Sequence, residues 1–248
     1  VLFLALFSLS FAGIQGAWVP FTAVFVLVAA YAEFENIGYD IFNAAISSVL
    51  STTGFILLGL LFWLHSAGQS LGGWFHSVLD SIESALSAST QAATVMSIED
   101  LSLTFPATIL VSLMLSLWMG VIFEARFRLW LGQSVVFAKS ALTYNVPGVF
   151  VWLTMTSVAA AYIDHGNETI RIIGMNAVQV FAAVYFFQGL TIVATYFRVT
   201  RMGQFWQILM YGILLLQLSI VLSALGFADY WLEIKNKLIK KSAQSVKG

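Results

Sequence analysis

The strongest constraint in this sequence is a set of long apolar runs, of which residues 41–64 and 207–225 contain no charged side chain. A helix needs about 20 consecutive apolar residues to cross the hydrocarbon core of a bilayer. Backbone polar groups find no water there, so a crossing segment must be a helix or part of a closed barrel. The runs lack the alternation of polar and apolar residues that barrel strands require. They predict membrane-spanning helices.

The composition agrees with this prediction. Sixty per cent of the residues are hydrophobic and 9% are charged, with a mean hydropathy of +0.90. Soluble domains carry about 25% charged residues. We therefore expect an all-α, polytopic transmembrane bundle that forms a single domain over residues 1–229.

Several functional classes find no support in the residues. The net charge of −1 creates no field for nucleic acid, and the absence of cysteine excludes disulfides and thiolate sites. The three histidines lack the spacing of a metal site, and no phosphate-binding loop or nucleophile elbow occurs. We expect no nucleic-acid partner, no metal, no cofactor and no catalytic residue. An intramembrane enzyme acting on lipid is the least favoured alternative.

The apolar runs predict about seven or eight spans. Residues 1–11 resemble the end of a truncated first span, and residues 129–144 form either a crossing or a re-entrant or interfacial helix. Pro106 suits the first turn of a helix. The remaining predicted spans are residues 17–31, 41–64, 105–123, 147–163, 170–197 and 205–225.

Two segments predict helices outside the spans. Residues 66–104 form an acidic loop without Lys or Arg, and apolar residues recur at helical spacing over 71–86. Residues 230–248 predict a basic amphipathic tail helix. Lys and Arg near span ends favour the cytoplasm. If residues 129–144 cross, this rule places the tail in the cytoplasm and the acidic loop outside it.

Amide and phenol side chains inside the spans are candidates for lining a ligand cavity. The alternative is that they form hydrogen bonds between helices, which contribute about 0.6–2 kcal/mol each. At about 100° per residue, the candidates do not all share one face. The candidate ligand-binding residues are Asn176, Gln179, Gln188, Gln204, Gln207 and Tyr211.

Three carboxylates follow the span at residues 17–31. Ionisable groups at membrane depth are functional candidates, so Glu33, Glu35 and Asp40 are candidates for binding a proton or a cation. Glu33 and Glu35 cannot face the same way on a helix. A solvated acidic turn is therefore the alternative.

Three segments in the C-terminal half form a recognisable sequence pattern. Residues 144–152 read YNVPGVFVW, residues 185–190 read YFFQGL, and residues 225–231 read LGFADYW before a basic tail. Together these segments resemble the YybS-like family of uncharacterised bacterial polytopic membrane proteins, over about residues 140–240. The resemblance implies a multi-pass protein of the bacterial cytoplasmic membrane. The positions that match the family pattern are Asn145, Pro147, Asn176, Gln188, Gly189 and Asp229.

The resemblance also implies a distant kinship with the substrate-capturing subunits of energy-coupling-factor vitamin transporters. It favours a small-molecule binding or transport subunit, with a cavity near the extracytoplasmic face. The alternative is a non-catalytic structural or interaction subunit of a larger membrane assembly. Membrane lipids and other membrane subunits are the expected partners, with a small-molecule ligand under the first hypothesis.

Overall fold

A computed structural model describes residues 18–88, 98–130, 144–163, 166–217 and 219–245. All regular secondary structure in these ranges is helical, which confirms the all-α class. The described helices are α1 (Trp18–Asn36), α2 (Ile41–Ser66), α3 (Leu71–Ala88), α4 (Ile98–Trp130), α5 (Val149–Tyr162), α6 (Glu168–Val199), α7 (Gln204–Gln217), α8 (Ser219–Leu232) and α9 (Ile234–Ser245).

Three of the described helices are long and apolar enough to cross a membrane. They are α2, residues Leu103–Val121 of α4, and α6. A fourth span results if α7 and α8 together form one broken crossing. The predicted truncated first span and most of residues 129–144 lie outside the described residues. The predicted count of seven or eight spans is thus not confirmed.

Two predicted spans differ from the helices that form. The run 205–225 was expected as one helix, but Gln204–Leu214 and Ser219–Leu232 meet at a bend of 98°. The predicted span 147–163 forms α5, which has only 14 residues. At 1.5 Å per residue this helix is shorter than the hydrocarbon core. Apolar composition reports burial in lipid or protein, and it does not report where a helix bends or ends.

Two helix boundaries also correct the sequence-based expectation. Pro106 lies inside α4, which begins at Ile98, and not in its first turn. The tail was expected as one helix from residue 230. Instead, α8 continues to Leu232 and α9 begins at Ile234, with Glu233 between them at a φ of 46°. This left-handed conformation turns the chain at the entrance to the tail.

The described residues divide into two compact units. The first contains α1, α3, most of α2 and the first part of α4. Within it, Leu79 of α3 is buried and the ring of Phe75 packs edge-on against Phe105 at 5.3 Å, whereas Asp80 is exposed. The segment predicted as an amphipathic helix over residues 71–86 thus lies within α3, in which Phe75 and Leu79 are packed and Leu71 is 52% exposed.

The second unit contains the start of α2, the end of α4 and helices α5 to α9. Here α6 packs against both α5 and α8. Asn167 caps α6, because its side-chain oxygen accepts hydrogen bonds from the backbone N–H groups of Thr169 (3.0 Å) and Ile170 (3.3 Å). A Cβ at Gly174 would lie 2.6 Å from the backbone nitrogen of Ala161. The α5–α6 contact thus depends on close approach of the two backbones.

Candidate ligand-binding site

Two glycines set the crossing of α6 and α8. A Cβ at Gly189 would lie 2.8 Å from the carbonyl carbon of Leu222, and a Cβ at Gly226 would lie 2.8 Å from the nitrogen of Gly189. Backbone atoms cannot rotate away, so only glycine permits this approach. Gln188 precedes the first glycine, and Asp229 lies about one turn after the second. The crossing therefore brings this amide and this carboxylate together.

Gln188 is the centre of a buried hydrogen-bond network. Its Nε2 donates to Asp229 Oδ2 at 2.8 Å and to Asn145 Oδ1 at 3.3 Å. A carboxylate oxygen only accepts hydrogen bonds, so the amide nitrogen must face Asp229. Gln188 is only 3% exposed, and its Oε1 has no hydrogen-bond partner among the described residues. The network leaves one buried acceptor available.

The start of the tail helix α9 contacts Asp229. The backbone N–H of Lys235 donates to Asp229 Oδ1 at 3.0 Å, and Lys235 Nζ donates to the carbonyl oxygen of Tyr144 at 2.7 Å. Both carboxylate oxygens of Asp229 therefore accept a hydrogen bond. Burial lowers the pKa of the Lys235 ammonium below its usual value, and the negative charge of Asp229 opposes this shift.

Tyr144 fixes the segment that leads into α5. Its hydroxyl donates to the carbonyl oxygen of Val184 at 3.2 Å. Its ring packs against Phe42 at 5.7 Å and against Trp118 at 5.9 Å between centroids. This anchoring holds Asn145 next to α6 and presents the Tyr144 carbonyl to Lys235.

These groups border a pocket of about 550 Å³. That volume falls within the range of about 300–1,000 Å³ that is typical of small-molecule sites. Among the described residues of its wall, the ionisable carboxyl and amino groups are two carboxylates, Asp229 and Glu233, and one ammonium, Lys235. The lining residues are Asn145, Val146, Pro147, Gly148, Val151, Tyr185, Gln188, Gly226, Asp229, Tyr230, Glu233, Lys235, Asn236 and Ile239.

The sequence model of a family described as predicted membrane proteins, DUF2232, matches residues 41–230. The chain belongs to this family. No curated protein and no solved structure matches it. The family, together with the long apolar helices, identifies the chain as a membrane protein. The DUF2232 match contains Asn145, Gln188 and Asp229, whereas Lys235 lies beyond its end.

The positions that match the YybS-like pattern come together in this DUF2232 protein, with one exception. Asn145, Pro147, Gln188 and Asp229 line the pocket, and Gly189 forms the helix crossing beside it. Asn176 lies more than three turns before Gln188 on α6, and its Nδ2 donates to the carbonyl of Ile172 at 2.9 Å in its own helix.

The other ligand candidates lie outside the pocket. Gln179 has a buried Oε1 without a hydrogen-bond partner among the described residues, and Gln204 is exposed. Gln207 Nε2 donates to the carbonyl of Met202 at 2.7 Å. The ring of Tyr211 packs edge-on against Phe197 at 5.1 Å. Of the six candidates, only Gln188 lines the pocket, and a binding role for the others stays a prediction.

Two of the candidate acidic residues lie near the C-terminal end of α1, and the third directly precedes α2. Glu33, Glu35 and Asp40 are all exposed. The Asp40 carboxylate accepts a hydrogen bond from the side-chain amide of Asn43 near the start of α2. No group of three His, Cys, Asp or Glu side chains suited to a metal occurs in the part of the chain that the structure describes. Proton or cation binding here stays a prediction.

Sequence reasoning missed the contribution of the tail helix. Lys235 was considered only as part of the basic tail helix, yet it is buried and contacts both Asp229 and Tyr144. Helical periodicity carried no signal for this, because the break at Glu233 changes which face of the tail meets the bundle. A lysine shortly after an isolated aspartate in an apolar run was the available hint.

The buried ammonium predicts a pH dependence of stability. The pKa of Lys235 in the folded protein lies below its usual 10.5, so folding disfavours its proton. Raising the pH from the folded pKa towards 10.5 removes that cost. We expect the wild type to become more stable relative to Lys235→Met over this interval, as measured by thermal unfolding in detergent. Lys237→Met, which removes an exposed lysine of α9, is the control; the same trend in both variants would contradict the prediction.

Proposed function

We propose that this DUF2232 protein binds a small polar molecule in the pocket between α5, α6, α8 and α9. The observation that supports this most directly is the unpartnered Oε1 of Gln188: the atom is buried, and the residue that carries it lines the pocket. Leaving a buried acceptor unsatisfied costs about 1–3 kcal/mol. A ligand that donates a hydrogen bond to this oxygen would recover that cost.

The alternative role for such groups is to hold helices together. Gln188 does this through Nε2, which joins α6 to Asp229 of α8. Helix association alone does not explain a pocket of about 550 Å³ beside the amide. Asn145, Gln188 and Asp229, which are joined by these hydrogen bonds, all line that same space. Convergent polar groups in a concave site are the usual mark of ligand recognition.

The pocket also revises the expected side of the membrane. A cavity was expected near the extracytoplasmic face, yet Lys235, Asn236 and Ile239 of the tail helix line this pocket. If residues 129–144 cross the membrane, the distribution of Lys and Arg favours a cytoplasmic tail. We therefore propose a binding site that opens towards the tail side of a bacterial cytoplasmic membrane protein. A binding or transport subunit, as the YybS-like resemblance implies, is the fuller form of this proposal.

Native mass spectrometry of the full chain, purified in mild detergent, tests the proposal. We expect a small molecule to co-purify at one copy per chain. Asp229→Ala should lose it, because the carboxylate that orients Gln188 is removed. Asp80→Asn, which changes an exposed carboxylate on α3, should retain it.

Two results would contradict the proposal. Co-purification of partner chains, without any bound small molecule, would favour a role as a structural or interaction subunit instead. Equal retention by the wild type and Asp229→Ala would remove the pocket from the function.

A further inference from the structure

We propose that the pocket selects a ligand that presents a primary ammonium group, either as a free amine or as a lipid headgroup. This inference rests on the proposed function and adds the chemical class of the ligand. It follows from the charges, the hydrogen-bonding groups and the position of the one lysine in the pocket wall.

The charge balance of the wall favours a cation. Asp229 and Glu233 contribute two carboxylates, and Lys235 contributes one ammonium. Asp229 also lies in the last turn of α8, where the helix dipole places partial negative charge. A carboxylate at this end of a helix is unfavourable by itself. The backbone N–H of Lys235, at the start of α9, already offsets part of this unfavourable interaction. A bound cation would offset the excess of carboxylates.

The hydrogen-bonding groups favour a donor over an acceptor. The Nε2 of Gln188 already donates to Asp229 and Asn145, so its remaining hydrogen-bonding group is the buried Oε1 acceptor, which has no partner among the described residues. Each oxygen of Asp229 accepts one hydrogen bond and has a second lone pair. A primary ammonium has three N–H donors, which match these acceptors. A quaternary ammonium has the same charge and no donor.

The position of Lys235 predicts that removing it and removing Asp229 change the affinity for an ammonium ligand in opposite directions. Its Nζ donates to the Tyr144 carbonyl, which holds the ammonium at the backbone instead of pairing it with an acidic side chain. Its charge should still repel a bound cation. Removing Asp229 should therefore weaken binding of an ammonium ligand, whereas removing Lys235 should strengthen it. A purely structural role would make both substitutions weaken binding.

Two sources of the ammonium can be separated by the surroundings of the pocket. Lys237 and Lys240 are exposed on α9, the helix that contributes Lys235, Asn236 and Ile239 to the wall. Exposed lysines suit the phosphate of a phospholipid. A free amine has no phosphate group that these lysines could contact.

Binding to the full chain in detergent tests the free-amine arm, with radiolabelled ethanolamine and choline as probes in equilibrium dialysis. These probes differ only in replacement of the ammonium hydrogens by methyl groups. We expect ethanolamine to bind about tenfold or more tightly than choline. Asp229→Asn should weaken ethanolamine binding about tenfold or more, Lys235→Met should strengthen it severalfold, and Asp80→Asn should leave it unchanged.

Nanodiscs that contain equal amounts of phosphatidylethanolamine and phosphatidylcholine test the lipid arm. Native mass spectrometry of protein released from them measures which lipid is retained. If the ligand is a headgroup, phosphatidylethanolamine should be retained in excess, and Asp229→Asn should abolish the excess. In that case free ethanolamine should bind much more weakly than the lipid, and Lys237→Gln together with Lys240→Gln should reduce lipid retention.

Equal binding of ethanolamine and choline, together with equal retention of phosphatidylethanolamine and phosphatidylcholine, would overturn the inference. So would weakening of binding by both Asp229→Asn and Lys235→Met. A co-purified ligand without an ammonium group would overturn this inference and leave the proposed function intact. Absence of any bound molecule, with no binding of either probe or lipid, would overturn both.

Discussion

Replacing Gly226 with alanine is expected to destabilise the protein by about 3 kcal/mol or more. The added Cβ would run into the carbonyl oxygen of Tyr185 and would lie 2.8 Å from the nitrogen of Gly189. Both atoms belong to the α6 backbone, so no side-chain rotation can relieve the clash. The two helices must separate, and with them Gln188 and Asp229. Unfolding by SDS in mixed micelles, followed by tryptophan fluorescence, measures the change.

Gly212→Ala is the matched control. Gly212 is also in a helix, α7, and a Cβ there would meet no atom within 4 Å. Both variants gain the helix propensity of alanine, which is about 0.8–1 kcal/mol. The difference between them therefore isolates the cost of close packing. Equal stability of the two variants would show that α6 and α8 do not pack through their glycine backbones.

The sequence was sufficient to predict the class of structure, because the lipid phase leaves few choices. A charge-free run such as residues 41–64 must satisfy its backbone groups internally, and it forms α2 almost at the predicted limits. The amphipathic helix α3 was equally predictable from its apolar spacing. In both cases a local pattern fixes a local structure.

The sequence did not predict where helices bend or end. Residues 205–225 look continuous in composition, yet the chain turns by 98° between α7 and α8. The triplet Asn167-Glu-Thr169 resembles a glycosylation signal, whereas Asn167 is the N-cap of α6. A capping residue followed by an acidic first turn was the better interpretation.

The site was the least predictable part. Gln188 is separated from Asn145 by 43 residues and from Asp229 by 41, so no periodicity relates them. The missing information is the crossing of α6 and α8. Gly189 and Gly226 were the available signal, because small residues in spans allow helix backbones to approach closely. Pairing these two glycines would have placed Gln188 beside Asp229.

A double-mutant cycle on Gln188 and Asp229 should show a coupling of about 1–2 kcal/mol. Asp229→Ala alone should cost about 2–4 kcal/mol, because it removes the shorter of the two hydrogen bonds of the Gln188 amide and leaves the Lys235 charge without its neighbouring carboxylate. Gln188→Leu alone should cost about 1.5–3 kcal/mol, since it removes a hydrogen bond to a charged group. The same SDS unfolding measurement applies.

The double variant should lose less free energy of unfolding than the sum of the two single losses. Either substitution alone already breaks the hydrogen bond between Gln188 and Asp229, so the second cannot break it again. Asp229→Ala combined with Gln69→Leu, an exposed amide between α2 and α3, should be additive. Neutral interhelical hydrogen bonds in membrane proteins average about 0.6 kcal/mol. A coupling clearly above that average would show that this contact is stronger than a typical interhelical hydrogen bond. A coupling near zero would mean that Gln188 and Asp229 do not share a hydrogen bond.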